Sequence, residues 1–371
     1  MRKGKLSIRQ KPNSSFSSAT NSIQPPLYTV KTHNAASGAF NSVSQSINHK
    51  GERLTEDTLS ANDEDSDNWS TATVGGPSTA FSSFTINDRT YNYAHHARSR
   101  NSYFFPTDNR GQDRLFLLHH ISLLLHGDKL HLTPLENPSR VLDMGTGTCI
   151  WAIDSSHPDA AILGINISPI QSTWVPPNVR LEIDDVKLAW AIPPDSLDFV
   201  HIRDMDSAIQ NWTNLMREAY RTLKPGGWIE IKDIIWSYTS DDGTVTPEYT
   251  PMRIIETVHE ALKALNVEFH SSGEHHERLT NVGFMDISQQ TQKVPIGLWP
   301  ADPKLKEVGN ITLTAAYLGV EDVILYPLRV GLSWDREKIQ ALASGVRRDL
   351  KKGSIHASVW SYAFWARKPT E

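Results

Sequence analysis

The run Asp143-Met-Gly145-Thr-Gly147-Thr-Cys149 places a carboxylate at the end of an apolar stretch, Arg140–Met144, and two glycines in the turn that follows. Glycines at such a turn adopt positive φ without steric cost. They also let the backbone approach a ligand at the start of the next helix. A pyrophosphate loop needs glycines in G-x-G-x-x-G register. The spacing here is D-x-G-x-G, and its acid repels a pyrophosphate while accepting hydrogen bonds from a cationic amino-acid group. The chemistry indicated is recognition of a nucleoside carrying an amino-acid tail. A plain chain-reversing turn is the alternative.

Further groups follow in an order that suits such a ligand. Ile162-Leu-Gly-Ile-Asn166 reads as a second strand whose end reaches a ribose, and Glu182-Ile-Asp-Asp185-Val186 closes a third with carboxylates suited to an adenine amino group. Leu223-Lys-Pro-Gly-Gly-Trp228 reads as a turn that opens a later strand. His201, Arg203 and Asp204, at or just past the fourth strand, are the candidate catalytic groups. Arg203 and Asp204 equally suit a mutual ion pair, and His201 a packed position. His119 and His120 fall on an early apolar helix, and His275 and His276 in a polar loop. No Cys/His/carboxylate spacing resembles a metal site.

The elements needed to position these groups are legible. Leu115–Leu125 predicts a helix capped by Asp108 or Asn109. Strands are expected at Arg140–Met144, Ala161–Ile167, Val179–Ile183, Leu197–Arg203 and Trp228–Ile235. Helices are expected at Ile150–Ser155, Trp212–Leu223 and Met252–Leu265, and late strands at Phe284–Val294 and Ser358–Arg367. This alternation predicts an α/β fold with a parallel sheet covered on both faces. The apolar, aromatic segment 299–352 is expected to form a lid-like insertion or to complete the packing. Residues 1–90, rich in Ser, Thr and Asn, are expected to form a disordered tail, because they offer too little apolar surface to offset chain entropy.

Composition narrows the classes. A formal net charge of -5 over 371 residues gives no reason to expect direct nucleic-acid binding. The single cysteine excludes an internal disulfide. The basic opening lacks an apolar segment behind it, and apolar runs are short, so neither a secretory signal nor a membrane span is expected. An intracellular protein of the nucleus or cytoplasm is the expectation.

With these motifs in place, the chain resembles the class I methyltransferases through Arg140–Cys149, Gly164–Gln171, Trp174–Asp185 and Leu223–Ile231. More narrowly, GTGTCIWAIDSSHPDAAILGINISPIQ followed by WVPPNVRLEIDDV resembles the fungal LaeA-type methyltransferases, enzymes or regulators of secondary metabolism. Tyr103–Leu115 and His356–Pro369 resemble the same family, so the likeness runs from about Tyr91 to the C-terminus. It implies a Rossmann-like seven-stranded sheet with its last strand antiparallel, and S-adenosyl-L-methionine as methyl donor. Asp143, Gly145 and Gly147 match the glycine-loop positions, Asp185 and Val186 the adenine side, and Tyr103 an aromatic cover. The partner implied is a small-molecule acceptor, or regulatory proteins. Two positions depart from the pattern. Cys149 stands where a third glycine is usual, and Asn166 where an acid accepts from the ribose hydroxyls. Losing that charge is expected to cost ~1–2 kcal/mol, roughly 5- to 30-fold in donor affinity.

Overall fold

The computed structural model describes residues 28–32, 43–47, 83–92, 103–155, 157–172, 174–267 and 272–371. In chain order the strands are β1 (Tyr28–Thr32), β2 (Val43–Ile47), β3 (Ser83–Ile86), β4 (Arg89–Asn92), β5 (Arg140–Met144), β6 (Ala161–Asn166), β7 (Val179–Ile183), β8 (Leu197–Arg203), β9 (Leu223–Thr239), β10 (Met285–Pro295) and β11 (Ser358–Arg367). The helices are α1 (Asn109–His126), α2 (Ile150–Ile153), α3 (Trp212–Thr222), α4 (Thr250–Ala264), α5 (His275–Val282), α6 (Pro303–Tyr326) and α7 (Arg336–Leu350).

The sheet runs β10-β11-β9-β8-β5-β6-β7-β1-β2. β5 to β9 pair in parallel, and β11 is antiparallel to both its neighbours, β9 and β10. The seven strands from β10 to β7 therefore form the expected mixed sheet with its last strand reversed. Its central strands read as near-continuous apolar runs because both faces are covered. Successive side chains serve opposite faces. Val141, Ile162 and Phe199 pack with Cys149 and Trp151 on one side. Leu142, Leu163 and Val200 pack with Trp212 and Leu215 of α3 on the other.

A third core joins α1, α4, α6 and α7 with Tyr91 and Phe104. The expected insertion 299–352 belongs here. It supplies α6 and α7, whose buried faces pack in this core. With the π-helical turn Pro327–Gly331 after it, α6 is long and apolar enough by composition to cross a membrane. That departs from the expectation of short apolar runs only. However, 56% of its most apolar stretch is buried inside the protein, which is the condition of a core helix.

The N-terminal expectation changes at its boundary. Residues 83–92, within the segment read as tail, form a two-stranded hairpin, and Arg89 of its second strand enters a buried ion cluster. Its guanidinium meets Asp108 at 2.6 Å and Asp322 of α6 at 2.6 Å, and Asp322 also meets Arg114 of α1 at 3.1 Å. Asp108 doubles as the N-cap of α1, accepting from Gly111 N. Further upstream, β1 pairs in parallel with β7, with Thr29 opposite Glu182, and β2 pairs antiparallel with β1. These two strands too fall within residues 1–90. The remaining residues of that stretch lie outside the described ones.

Candidate functional site

The strands β5 to β8 all point their carboxyl ends at one cleft, the edge at which open α/β sheets take their ligands. Five of the seven residues expected on the donor side line it: Tyr103, Gly145, Asn166, Asp185 and Val186. The apolar wall comes from Ile165, Ile167, Ala208 and Ile209, and Asp184, Lys187 and Met205 add three polar or polarisable groups. Sequence reading missed Met205 although it picked out its neighbour Asp204. A thioether in a turn carries no spacing signal of its own.

The glycine loop is held in an alternating left-handed path. Gly145 has φ 70°, Gly147 φ 56° and Cys149 φ 69°. Gly145 N and Thr146 N both donate to Ile165 O, at 2.8 and 3.0 Å, which pins the loop to the end of β6. A Cβ on Gly145 would run into the Met205 side chain. Gly147 lies behind the cleft, where a Cβ would stand 3.3 Å from a Leu115 methyl of α1. Cys149 shows why glycine is usual there: the position demands positive φ. Its thiol is fully buried, and burial pushes its pKa up to about 12. It is a packing group.

Asp143 also lies behind the loop. Its carboxylate is 3% exposed, accepting from Thr146 Oγ1 at 2.7 Å and meeting His201 Nδ1 at 2.8 Å. It shapes the loop rather than lining the cleft. At the other end, Asn166 Nδ2 donates to Ser168 O at 2.7 Å, which leaves its Oδ1 for a ligand. Asp184 N donates to Asn166 O at 3.1 Å, and Asp185 accepts from Lys187 N at 3.1 Å. Burial lowers the Lys187 ammonium from its usual range, with Asp185 opposing.

The expected catalytic trio is not brought to the cleft. His201 is 0% exposed, sealed beneath the loop, and no acceptor reaches it. Arg203 donates to His119 Nδ1 at 3.0 Å and pairs with Asp204 at 3.6 Å. His119 in turn meets Asp154 at 3.0 Å, and burial followed by the Arg203 charge takes its pKa down to about 4. Asp204 adopts φ 55° and its carboxyl is raised by burial. Asp233 of β9 holds the turn that follows, accepting from Met205 N at 2.8 Å and Asp206 N at 3.1 Å.

The geometry at Asn166 reverses the sign expected from sequence. A carboxylate there would set an oxygen against Ser168 O and add charge beside Asp184 and Asp185. Asn166→Asp is therefore expected to weaken donor binding by about 3- to 10-fold in calorimetry. A tighter variant would show that the Ser168 turn yields.

Comparison with known proteins gives the family. A family model described as a methyltransferase domain matches residues 117–289. The methyltransferase pytC of Aspergillus terreus is 35% identical over 287 residues, 75% of this chain and 88% of its own. The secondary metabolism regulator LAE1 of Cochliobolus heterostrophus is 30% identical over 78% of this chain and 96% of its own. The protein-methionine methyltransferase laeA of Emericella nidulans is 31% identical over 76% of each. With a sheet of this order, a glycine loop at its carboxyl edge and relatives aligned over most of their length, the chain belongs to the LaeA-type family of S-adenosylmethionine-dependent methyltransferases.

Proposed function

We propose that the chain methylates a small-molecule metabolite of secondary metabolism, with S-adenosyl-L-methionine held in the cleft between Gly145 and Val186. The observation that carries this is the cradle itself. A left-handed glycine that any Cβ would fill lies at one side, and an oriented amide with adjacent acids at the other. Gly145 admits the donor's amino-acid end, Asn166 Oδ1 accepts from a ribose hydroxyl, and Asp185 with Val186 meets the adenine. The bound donor supplies a methyl group already activated on sulfonium. Alignment by the cleft walls then supplies much of the rate, and a base matters only for an acceptor that must lose a proton. The relative named methyltransferase pytC, matched over 88% of its length, supports the enzymatic reading.

One observation favours a second reading, a regulator acting on protein. Met205 borders the cleft with its side chain against Gly145, and one relative is named a protein-methionine methyltransferase. A thioether sulfur can attack the donor methyl with no proton to lose. The new S–CH3 bond leaves a sulfonium on the side chain and a neutral thioether on the spent donor. Full-length chain given methyl-labelled donor and an extract of small metabolites separates the two readings. Label in small molecules, retained in Met205→Leu, supports the first. Label confined to the chain and lost in Met205→Leu overturns it in favour of the second.

A further inference from the structure

We propose that His201 is a positioning residue that clamps both ends of the glycine loop and so sets the shape of the donor cleft. The loop runs from the end of β5, which carries Asp143, to the start of α2, which carries Trp151, and one imidazole touches both. Its Nδ1 lies 2.8 Å from Asp143 Oδ1, and its ring lies flat on the Trp151 indole at 3.9 Å and 11°. Asp143 passes the restraint inward, because its other oxygen takes the Thr146 hydroxyl at 2.7 Å. Thr146 is the residue between the two loop glycines. Trp151 is anchored in turn by its indole N–H, which donates to Leu130 O at 3.0 Å.

The hydrogen-bond roles follow from the chemistry of the partner. An ionised carboxylate only accepts, so His201 carries its proton on Nδ1, and the buried Nε2 has no partner among the described residues. Burial, then Lys232 and Arg203, push the imidazole pKa well below its usual value, so the ring stays neutral. The groups acting on Asp143 are Thr146 from the loop, Arg203 from β8, His119 from α1 and Lys232 from β9. Burial outweighs all of them and raises the carboxyl to about 6. Protonating Asp143 turns one of its acceptor oxygens into a donor and breaks one strut of the loop.

Two substitutions separate positioning from bulk. His201→Phe keeps a ring on Trp151 and removes the N–H, whereas His201→Asn restores an N–H near the Nδ1 place. Calorimetry with S-adenosylhomocysteine should show His201→Phe weakened about tenfold and His201→Asn within about threefold of the parent. In the parent, affinity should hold above pH 7 and fall as pH drops through about 6. In His201→Phe that fall should begin about one pH unit higher, because the carboxylate has lost a donor. A folded His201→Phe with parental affinity and pH profile overturns the proposal, as does His201→Asn binding no better than His201→Phe. Should His201→Phe fail to fold, 15N signals of the parent imidazole decide. A protonated Nδ1 with bare Nε2 from pH 6 to 8 supports the clamp, and a protonated Nε2 or a titrating ring overturns it.

Discussion

Gly145→Val should abolish detectable donor binding in calorimetry while the circular dichroism of the sheet and helices persists. Two costs act together. At φ 70° a β-branched residue is strained by a few kcal/mol. Its Cβ also lands on the side chain of Met205, which lines the same cleft and must shift. Gly243→Val controls for the first cost alone, since Gly243 has φ 73° with nothing within 4 Å of a built Cβ. It should lose some stability and bind donor normally. The milder Gly145→Ala, combined with Met205→Ala, tests the second. If the methyl intrudes on the donor itself, removing Met205 gives no recovery. Recovery would show that the loss comes from the displaced Met205, and parental affinity in Gly145→Ala alone would show that the donor lies elsewhere.

The site was legible in sequence where chemistry forces a residue type, and illegible where only tertiary packing decides. Gly145 announces itself because a tight turn after a strand calls for the positive φ that it adopts. Asp185 and Val186 follow from a strand that must end where the sheet meets its ligand. Strand β11 could be bounded residue by residue, since the aromatic run Ser358–Arg367 alternates across a sheet. His201 was read as catalytic because it closes the fourth strand. In that strand residues 199 to 202 are all buried, and no local pattern marks which polar group is sealed beneath a loop. Asp143 was read as a ligand group for the same reason, because its bonds to His201 and Thr146 depend on how β5 and β8 pair. The 83–92 hairpin was missed because its stabilising partner, Asp322, lies 233 residues from Arg89. Composition within a short stretch cannot foresee a buried counterion that distant.

That distant counterion makes Asp322→Ala a strongly destabilising substitution outside the cleft. The Asp322 side chain is 1% exposed, and its two oxygens serve Arg89 at 2.6 Å and Arg114 at 3.1 Å. Burial alone would lower the Arg89 pKa, yet hydrogen bonds and charge from Asp108 and Asp322 hold it above the usual value. Removing Asp322 strips Arg114 of its partner and halves the charge opposing Arg89, within a region too dry to solvate either. The loss should be about 3–5 kcal/mol by urea denaturation, the range for breaking a buried pair. Asp88→Ala provides the contrast. It breaks an exposed pair with Arg336, in which Asp88 is 83% accessible, and should change stability by less than about 1 kcal/mol. Because Arg89 ties the 83–92 hairpin to α1 and α6, limited proteolysis of Asp322→Ala should release that hairpin first. The sheet of β5 to β9 rests on its own two apolar faces and should survive longer. Equal losses from Asp322→Ala and Asp88→Ala would show that water reaches the cluster and that the hairpin is held by Tyr91 packing instead.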